Sequence, residues 1–129
     1  MATESPFLRD GSNVTASANL STNQFYAVAL SGARTVGLPG TINASQFVYG
    51  ILQNKPSSGL AADVAIFGIT KAYAGGTISA ASLLESASGG AVIAYTSGAS
   101  ATVIGYSLES ASISQIFTMF LFGPNVLTS

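Results

Sequence analysis

The chain has 129 residues, of which 48% are apolar and only 7% charged, and its formal net charge is -1. This length makes one domain, and the charged fraction is far below the roughly 25% of an ordinary soluble domain. With no Cys and no His, a disulfide framework, a thiolate nucleophile, a Ser-His-Asp triad and Cys- or His-ligated metals are all excluded.

The remaining charges are thinly spread. The four cations Arg9, Arg34, Lys55 and Lys71 are scattered along the chain and make no patch that tracks phosphates, so no nucleic-acid partner is expected. Disordered chains are polar and charged, which this one is not. A folded protein with so little charge to keep its surfaces apart fits a subunit that lives inside an assembly.

In chain order, Met1–Asn13 carries Glu4, Arg9 and Asp10 and has no apolar stretch of signal-peptide type. Synthesis in the cytoplasm is therefore expected. Residues 1–22 read as an extended N-terminal arm, with Pro6, Gly11 and a run of Ser, Asn and Thr. Its one adjacent pair of large apolar residues is Phe7-Leu8, followed by Arg9. Such an arm is either a frayed tail or a segment that orders on a partner through its apolar anchor, and the second reading makes Phe7, Leu8 and Arg9 candidate contact residues.

Residues 23–129 read as a β domain. Short β-branched and aromatic runs alternate with Gly, Ser, Pro and Asn clusters, the all-β pattern. Strands are expected at Phe25–Leu30, Arg34–Gly37, Gln46–Leu52, Asp63–Thr70, Ala91–Thr96, Thr102–Leu108 and Gln115–Phe122. Turns fall at Ser31-Gly32, Pro39-Gly40, Pro56–Gly59, Gly75-Gly76, Gly89-Gly90 and Ser97-Gly98. Ser79–Ser86, rich in Ala and Leu and holding Glu85, is the one expected helical turn.

Three strands carry an internal glycine: Val48-Tyr49-Gly50-Ile51, Ile66-Phe67-Gly68-Ile69 and Val103-Ile104-Gly105-Tyr106. Glycine weakens a strand unless a bulge or a close backbone approach needs it. The recurrence predicts sharply bent strands of a small β-barrel or β-sandwich. The aromatics of these runs, Phe67 and Tyr106 among them, are read as core rather than as a base-stacking platform, since no basic residues interleave.

The run Ile116-Phe117-Thr118-Met119-Phe120-Leu121-Phe122 is apolar on both strand faces. An antiparallel strand with one wet face alternates. This strand is therefore central in the core or at an interface, and in so small a domain the interface is favoured. Ile116, Phe117, Met119, Phe120, Leu121 and Phe122 are the candidate oligomer or partner-contact residues. The run is too short to span a bilayer, so no membrane partner is expected. Gly123-Pro124 is expected to end it.

Catalytic chemistry finds little material. The five carboxylates are Glu4, Asp10, Asp63, Glu85 and Glu109. Glu85 and Glu109 stand at equivalent places in an echo, Leu84-Glu85-Ser86-Ala87-Ser88 against Leu108-Glu109-Ser110-Ala111-Ser112. They are read as solvated turn residues rather than as a facing acid pair. Lys55 and Lys71 lie in no Ser-x-x-Lys pattern and read as exposed. The Gly-Gly pairs lack the context of a phosphate loop. No enzymatic activity, cofactor or metal is expected.

From Gly50 onward a longer pattern emerges. Gly50-Ile51-Leu52-Gln53-Asn54-Lys55-Pro56 leads to Gly59, then Asp63-Val64-Ala65, Gly68-Ile69-Thr70-Lys71, Gly75-Gly76-Thr77-Ile78, Leu83-Leu84 and Gly89-Gly90-Ala91. Val103-Ile104-Gly105, Leu108-Glu109 and Ala111 close it. In order and spacing this resembles the capsid decoration (cement) proteins of tailed bacteriophages, over about residues 24–123. The chain departs from that family at Ala81-Ser82, where Gly-Asp is usual, and at Ser107, where Ala is usual.

The resemblance implies a structural protein of the virion that binds the outer surface of the phage head between capsomers and stabilises it. Its implied partners are the major capsid protein and copies of itself, a homotrimer ahead of a homodimer. A small-ligand-binding β-barrel and a phage tail or fibre subunit are the alternatives.

Overall fold

The computed structural model describes residues 7–9, 14–39, 48–87, 89–95 and 102–127. The described residues are all-β. The strands are β1 (Phe7–Arg9), β2 (Thr15–Ala16), β3 (Ala27–Gly32), β4 (Thr35–Gly37), β5 (Val48–Leu52), β6 (Val64–Tyr73), β7 (Leu83–Ser86), β8 (Val92–Ala94), β9 (Thr102–Ser107) and β10 (Ile116–Leu127). They form one sheet in the order β2-β4-β3-β5-β6-β10-β9-β7-β8, with β1 added to β6 off that path. The sheet is not closed into a barrel. Each end instead curls back through an isolated bridge, Thr15 to Ala61 at one end and Ala74 to Val92 at the other.

The two curls turn to opposite faces. Ala27, Ile51 and Ala65 belong to one hydrophobic cluster. Their chain neighbours Val28, Leu52 and Val64 belong to the other. Successive strand residues point to opposite faces, so β3, β5 and the start of β6 separate two cores. The first core is completed by Leu84, Ile104, Phe117, Met119 and Leu121, the second by Val14, Ala16, Leu20 and Val36. Strands covered on both faces carry unbroken apolar runs, as Ala27-Val28-Ala29 and Ile51-Leu52 do here.

Of residues 1–22, 7–9 form β1, antiparallel to β6 with Phe7 opposite Gly68 and Arg9 opposite Ala65. Val14, Ala16 and Leu20 are buried in the second core.

Two expectations are overturned. Ser79–Ser86 is not helical: Leu83–Ser86 is strand β7, paired with β9 through Leu83–Tyr106 and with β8 through Glu85–Ile93. A segment this short cannot nucleate a helix by itself, while two flanking strands offer it ladders on both edges. Gly123-Pro124 does not end the last strand either. β10 runs on to Leu127, and these two residues fall where its register with β9 shifts, between Leu121 and Val126. A proline is tolerated in a strand at such an irregularity.

The expected turns at Pro56–Gly59, Gly75-Gly76 and Gly89-Gly90 lie between strands. The β3–β4 turn is at Ala33-Arg34, two residues later than expected, with Arg34 left-handed at φ 56°. Gln46, Phe47, Thr96 and Ser97-Gly98 lie outside the described residues.

Two of the three strand glycines, Gly50 and Gly105, have the close backbone approach expected of them, while Gly68 has a positive φ of 111°. A Cβ on Gly50 would overlap the Ala65 carbonyl oxygen and come to 2.5 Å of Val64 Cγ1. One on Gly105 would overlap the Phe120 carbonyl oxygen and come to 2.7 Å of Met119 Cε.

A candidate interaction face on strands β6, β10, β9 and β7

Strand β10 is central in its half of the sheet, between β6 and β9. Its register places Phe120 opposite Ile69 on one side and opposite Tyr106 on the other, and Tyr106 opposite Leu83 of β7. Ile69, Phe120, Tyr106 and Leu83 therefore make one row across four strands, pointing away from the core. Ile69 is 38% exposed, Tyr106 37% and Leu83 48%. Phe67, two residues before Ile69, is 47% exposed.

The aromatic rings of this face touch. Phe67 meets Phe120 edge-on at 5.6 Å between centroids. Tyr106 lies 5.5 Å from Phe120 and 5.9 Å from Phe122, and Phe120 and Phe122 are 6.1 Å apart. Edge-on and tilted pairs at these distances suit the ring quadrupoles. They hold the rings as a fixed apolar surface.

The opposite face of the same strands explains why these side chains have nowhere else to go. Phe117, Met119 and Leu121 are almost fully buried. Met119 is flanked by Thr70 and Ser107, and Leu121 by Gly68 and Gly105. The run 116–122 thus splits by alternation. Phe117, Met119 and Leu121 fill the chain's own core, while Ile116, Phe120 and Phe122 belong to the outer face, with Ile116 46% exposed.

Phe67, Ile69, Leu83 and Tyr106 were not among the residues expected at an interface, and Phe67 and Tyr106 were read as core. The missed signal is the two-residue alternation of Phe67, Ile69 and Lys71 against Gly68, Thr70 and Ala72, which puts the larger apolar residues outside. Of the arm residues Phe7, Leu8 and Arg9, the structure describes the backbone pairing with β6.

The polar groups beneath the face are partnered. Gln53 Nε2 donates to Thr70 Oγ1 at 2.9 Å and to the Ile51 carbonyl at 3.0 Å, and Thr70 Oγ1 donates to the Lys71 carbonyl at 3.2 Å. Ser107 Oγ donates to the Ser79 carbonyl at 2.6 Å and accepts the Ser82 N–H at 3.0 Å.

The carboxylates sit apart in role. Glu85, expected to be solvated, is buried on β7, because that segment is a strand and not a turn. Glu109 is exposed, and its Oε2 accepts the Thr118 N–H at 2.9 Å. Lys55 and Lys71 are exposed, with Lys71 inside β6 rather than after it. Among the described residues no three His, Cys, Asp or Glu gather as a metal site, and no helix is long and apolar enough to cross a membrane.

No protein-family model matches the chain, and no curated protein matches it. Among solved structures, the chain is similar to the head fiber gp8.5 N base of bacteriophage phi29. The TM-score is 0.66 at 15% identity, over 88% of this chain and 94% of that one. At this identity the shared property is the fold: an all-β chain of the same architecture over nearly its whole length.

Proposed function

We propose that this chain is a structural protein of a bacteriophage head, a decoration subunit carried on the outer surface and bound to the major capsid protein. The observation that carries the reading is the fold it shares, over 88% of its length, with the base of a phage head fiber. Two features support it. The chain has few charges, and its β6–β10–β9–β7 face presents apolar side chains and aromatic rings outward. Apolar faces of this kind mark interaction surfaces. Stabilisation then comes from area buried across capsomer seams, multiplied over many copies.

The test is co-sedimentation of the purified protein with expanded heads that lack it. Saturation at a fixed number of copies per capsomer supports the decoration role. Absence of binding by folded protein overturns it.

The base of a head fibre is the second reading, favoured by the same solved structure, which is itself such a base. Electron micrographs of saturated heads, prepared with the protein as it occurs in the virion, separate the two: knobs over the lattice against filaments at their attachment sites. A ligand-binding barrel is less well supported, because it needs a closed lumen and this sheet is open.

A further inference from the structure

We infer that the outer face of β6, β10, β9 and β7 is closed by a second copy of this chain, packed sheet against sheet. The inference deepens the proposed function by naming the occupant of its interaction face, and it is testable without a capsid.

The first argument comes from the chain's own construction. Where β3, β5 and the start of β6 carry apolar residues toward both faces, each face is covered by a curled end of the sheet. Strand β10 carries the same two-sided pattern, but among the described residues only the side of Phe117, Met119 and Leu121 is covered. On the other side Ile116, Phe67, Ile69 and Tyr106 are exposed and Phe120 and Phe122 half-buried, their rings packed on one another, and no other described element lies over them. A twisted sheet is most readily covered by another sheet of the same twist, about 10 Å away.

The second argument is area. Leu108, just past β9 and two residues after Tyr106, joins the face beside Thr118, whose carbonyl accepts its N–H; the exposed fractions of Phe67, Ile69, Leu83, Tyr106, Leu108 and Ile116 lie between 37% and 48%. Together these side chains expose on the order of 500 Å² of apolar surface, at the upper end for a monomer's largest patch. Two copies face to face would bury about 1,000 Å² from these residues alone, which reaches the threshold for a specific interface before any rim contact.

The third argument is charge. Thr118 has Lys71 opposite it on β6, and its N–H is held by Glu109. One cation and one carboxylate thus stand at the same end of the face. A two-fold axis running along β10 at Thr118 exchanges its β6 and β9 sides and so brings each toward its opposite in the other copy, the self-complementarity that an isologous contact requires. No block of like charge opposes the approach.

The experiment measures molar mass by light scattering on the full chain at micromolar concentration, with no capsid present. The expected result is a dimer, or a larger closed oligomer with an even number of copies built from such pairs; a trimer overturns the inference. The double variant Phe67→Ser and Ile69→Ser should weaken association about 100-fold, as loss of central apolar anchors does. Leu30→Ser and Leu60→Ser, at exposed positions outside the face, should leave it unchanged. Circular dichroism verifies folding. Single cysteines in a chain that has none give a second readout. With a short bismaleimide, Ile69→Cys and Tyr106→Cys should cross-link copies, and Leu60→Cys should not.

A monomeric parent, or an oligomer that ignores the double variant and cross-links only at Leu60→Cys, overturns the inference. If the double variant fails to fold, the cross-links decide. Head binding is scored separately. A monomer that binds heads overturns this inference and leaves the head reading standing. An oligomer that binds no heads does the reverse.

Discussion

Replacing Ser107 with Ala tests how the turn at 79–82 is held. Ser107 is 1% exposed and grips that turn from the end of β9. Its hydroxyl donates to the Ser79 carbonyl and accepts the Ser82 N–H. Its backbone N–H donates to the Ser82 carbonyl at 2.9 Å, and its carbonyl accepts the Ala81 N–H at 3.0 Å. The substitution removes the two hydroxyl bonds and spares the two backbone ones, so the register survives. Each bond contributes about 1 kcal/mol net, and a partly buried N–H left without a partner adds to the loss, for about 2 kcal/mol in all. With an unfolding entropy of about 2.1 cal/mol/K per residue, a chain of 129 residues loses about 7 °C in Tm. Thermal unfolding followed by circular dichroism or calorimetry reads this directly. Ser86→Ala is the comparison: Ser86 is also buried, but its hydroxyl bonds the carbonyl of adjacent Ala87, and its loss should cost less than about 1 kcal/mol. A Ser107→Ala protein that melts within about 1 °C of the parent refutes the reasoning. So does an equal cost at both sites.

Further outcomes follow from other positions. Gly105→Ala drives a methyl into the Phe120 carbonyl and Met119 and should destabilise by about 3 kcal/mol or more, whereas Gly76→Ala, with nothing within 4 Å, should be near neutral in the same denaturant titration. Ala81 is left-handed at φ 65°. Ala81→Gly should therefore raise stability by about 0.5–1 kcal/mol, read as a higher midpoint in urea, and a lower midpoint would count against a strained Ala81. Tyr26 stacks on Tyr73 with centroids 4.6 Å apart, and burial first, then the Tyr73 hydroxyl, pushes its pKa above the ordinary value. Absorbance near 295 nm should show a tyrosine that ionises later than the rest. Because the folded pKa is the higher one, its contribution is fully present below about pH 10 and is lost as pH rises through the folded value. Tyr26→Phe should flatten that alkaline limb.

Much of the strand plan was legible because its signals are local. Gly, Pro and Ser clusters punctuate runs of β-branched and aromatic residues, and the internal glycines marked backbone crowding before any strand had a partner. The 79–86 segment was misread for the opposite reason. Its composition favours helix, and its strand state depends on β8 and β9, both later in the chain. The two departures from the decoration-protein pattern also gain meaning only in three dimensions. Ala81-Ser82 and Ser107, 25 residues apart, are hydrogen-bonded to one another across one turn.

The interaction face was half legible. Two-sided apolarity in 116–122 marked both faces of β10 as apolar, because alternation within one strand is a sequence property. Which side was the chain's own core was not, since either set of alternate residues satisfies the pattern. Nor could it be seen that Phe67, Ile69, Tyr106 and Leu83 join Phe120 on the other side, because that row exists only once four strands are in register. By itself, then, the sequence determined an all-β chain with little charge and with crowded backbone at Gly50 and Gly105, because those are matters of composition and local sterics. Only the tertiary structure decided that the sheet stays open, that its ends curl to opposite faces, and which apolar face of β10 the described residues leave uncovered. Those outcomes are set by pairings between segments far apart in the chain, and no local propensity encodes them.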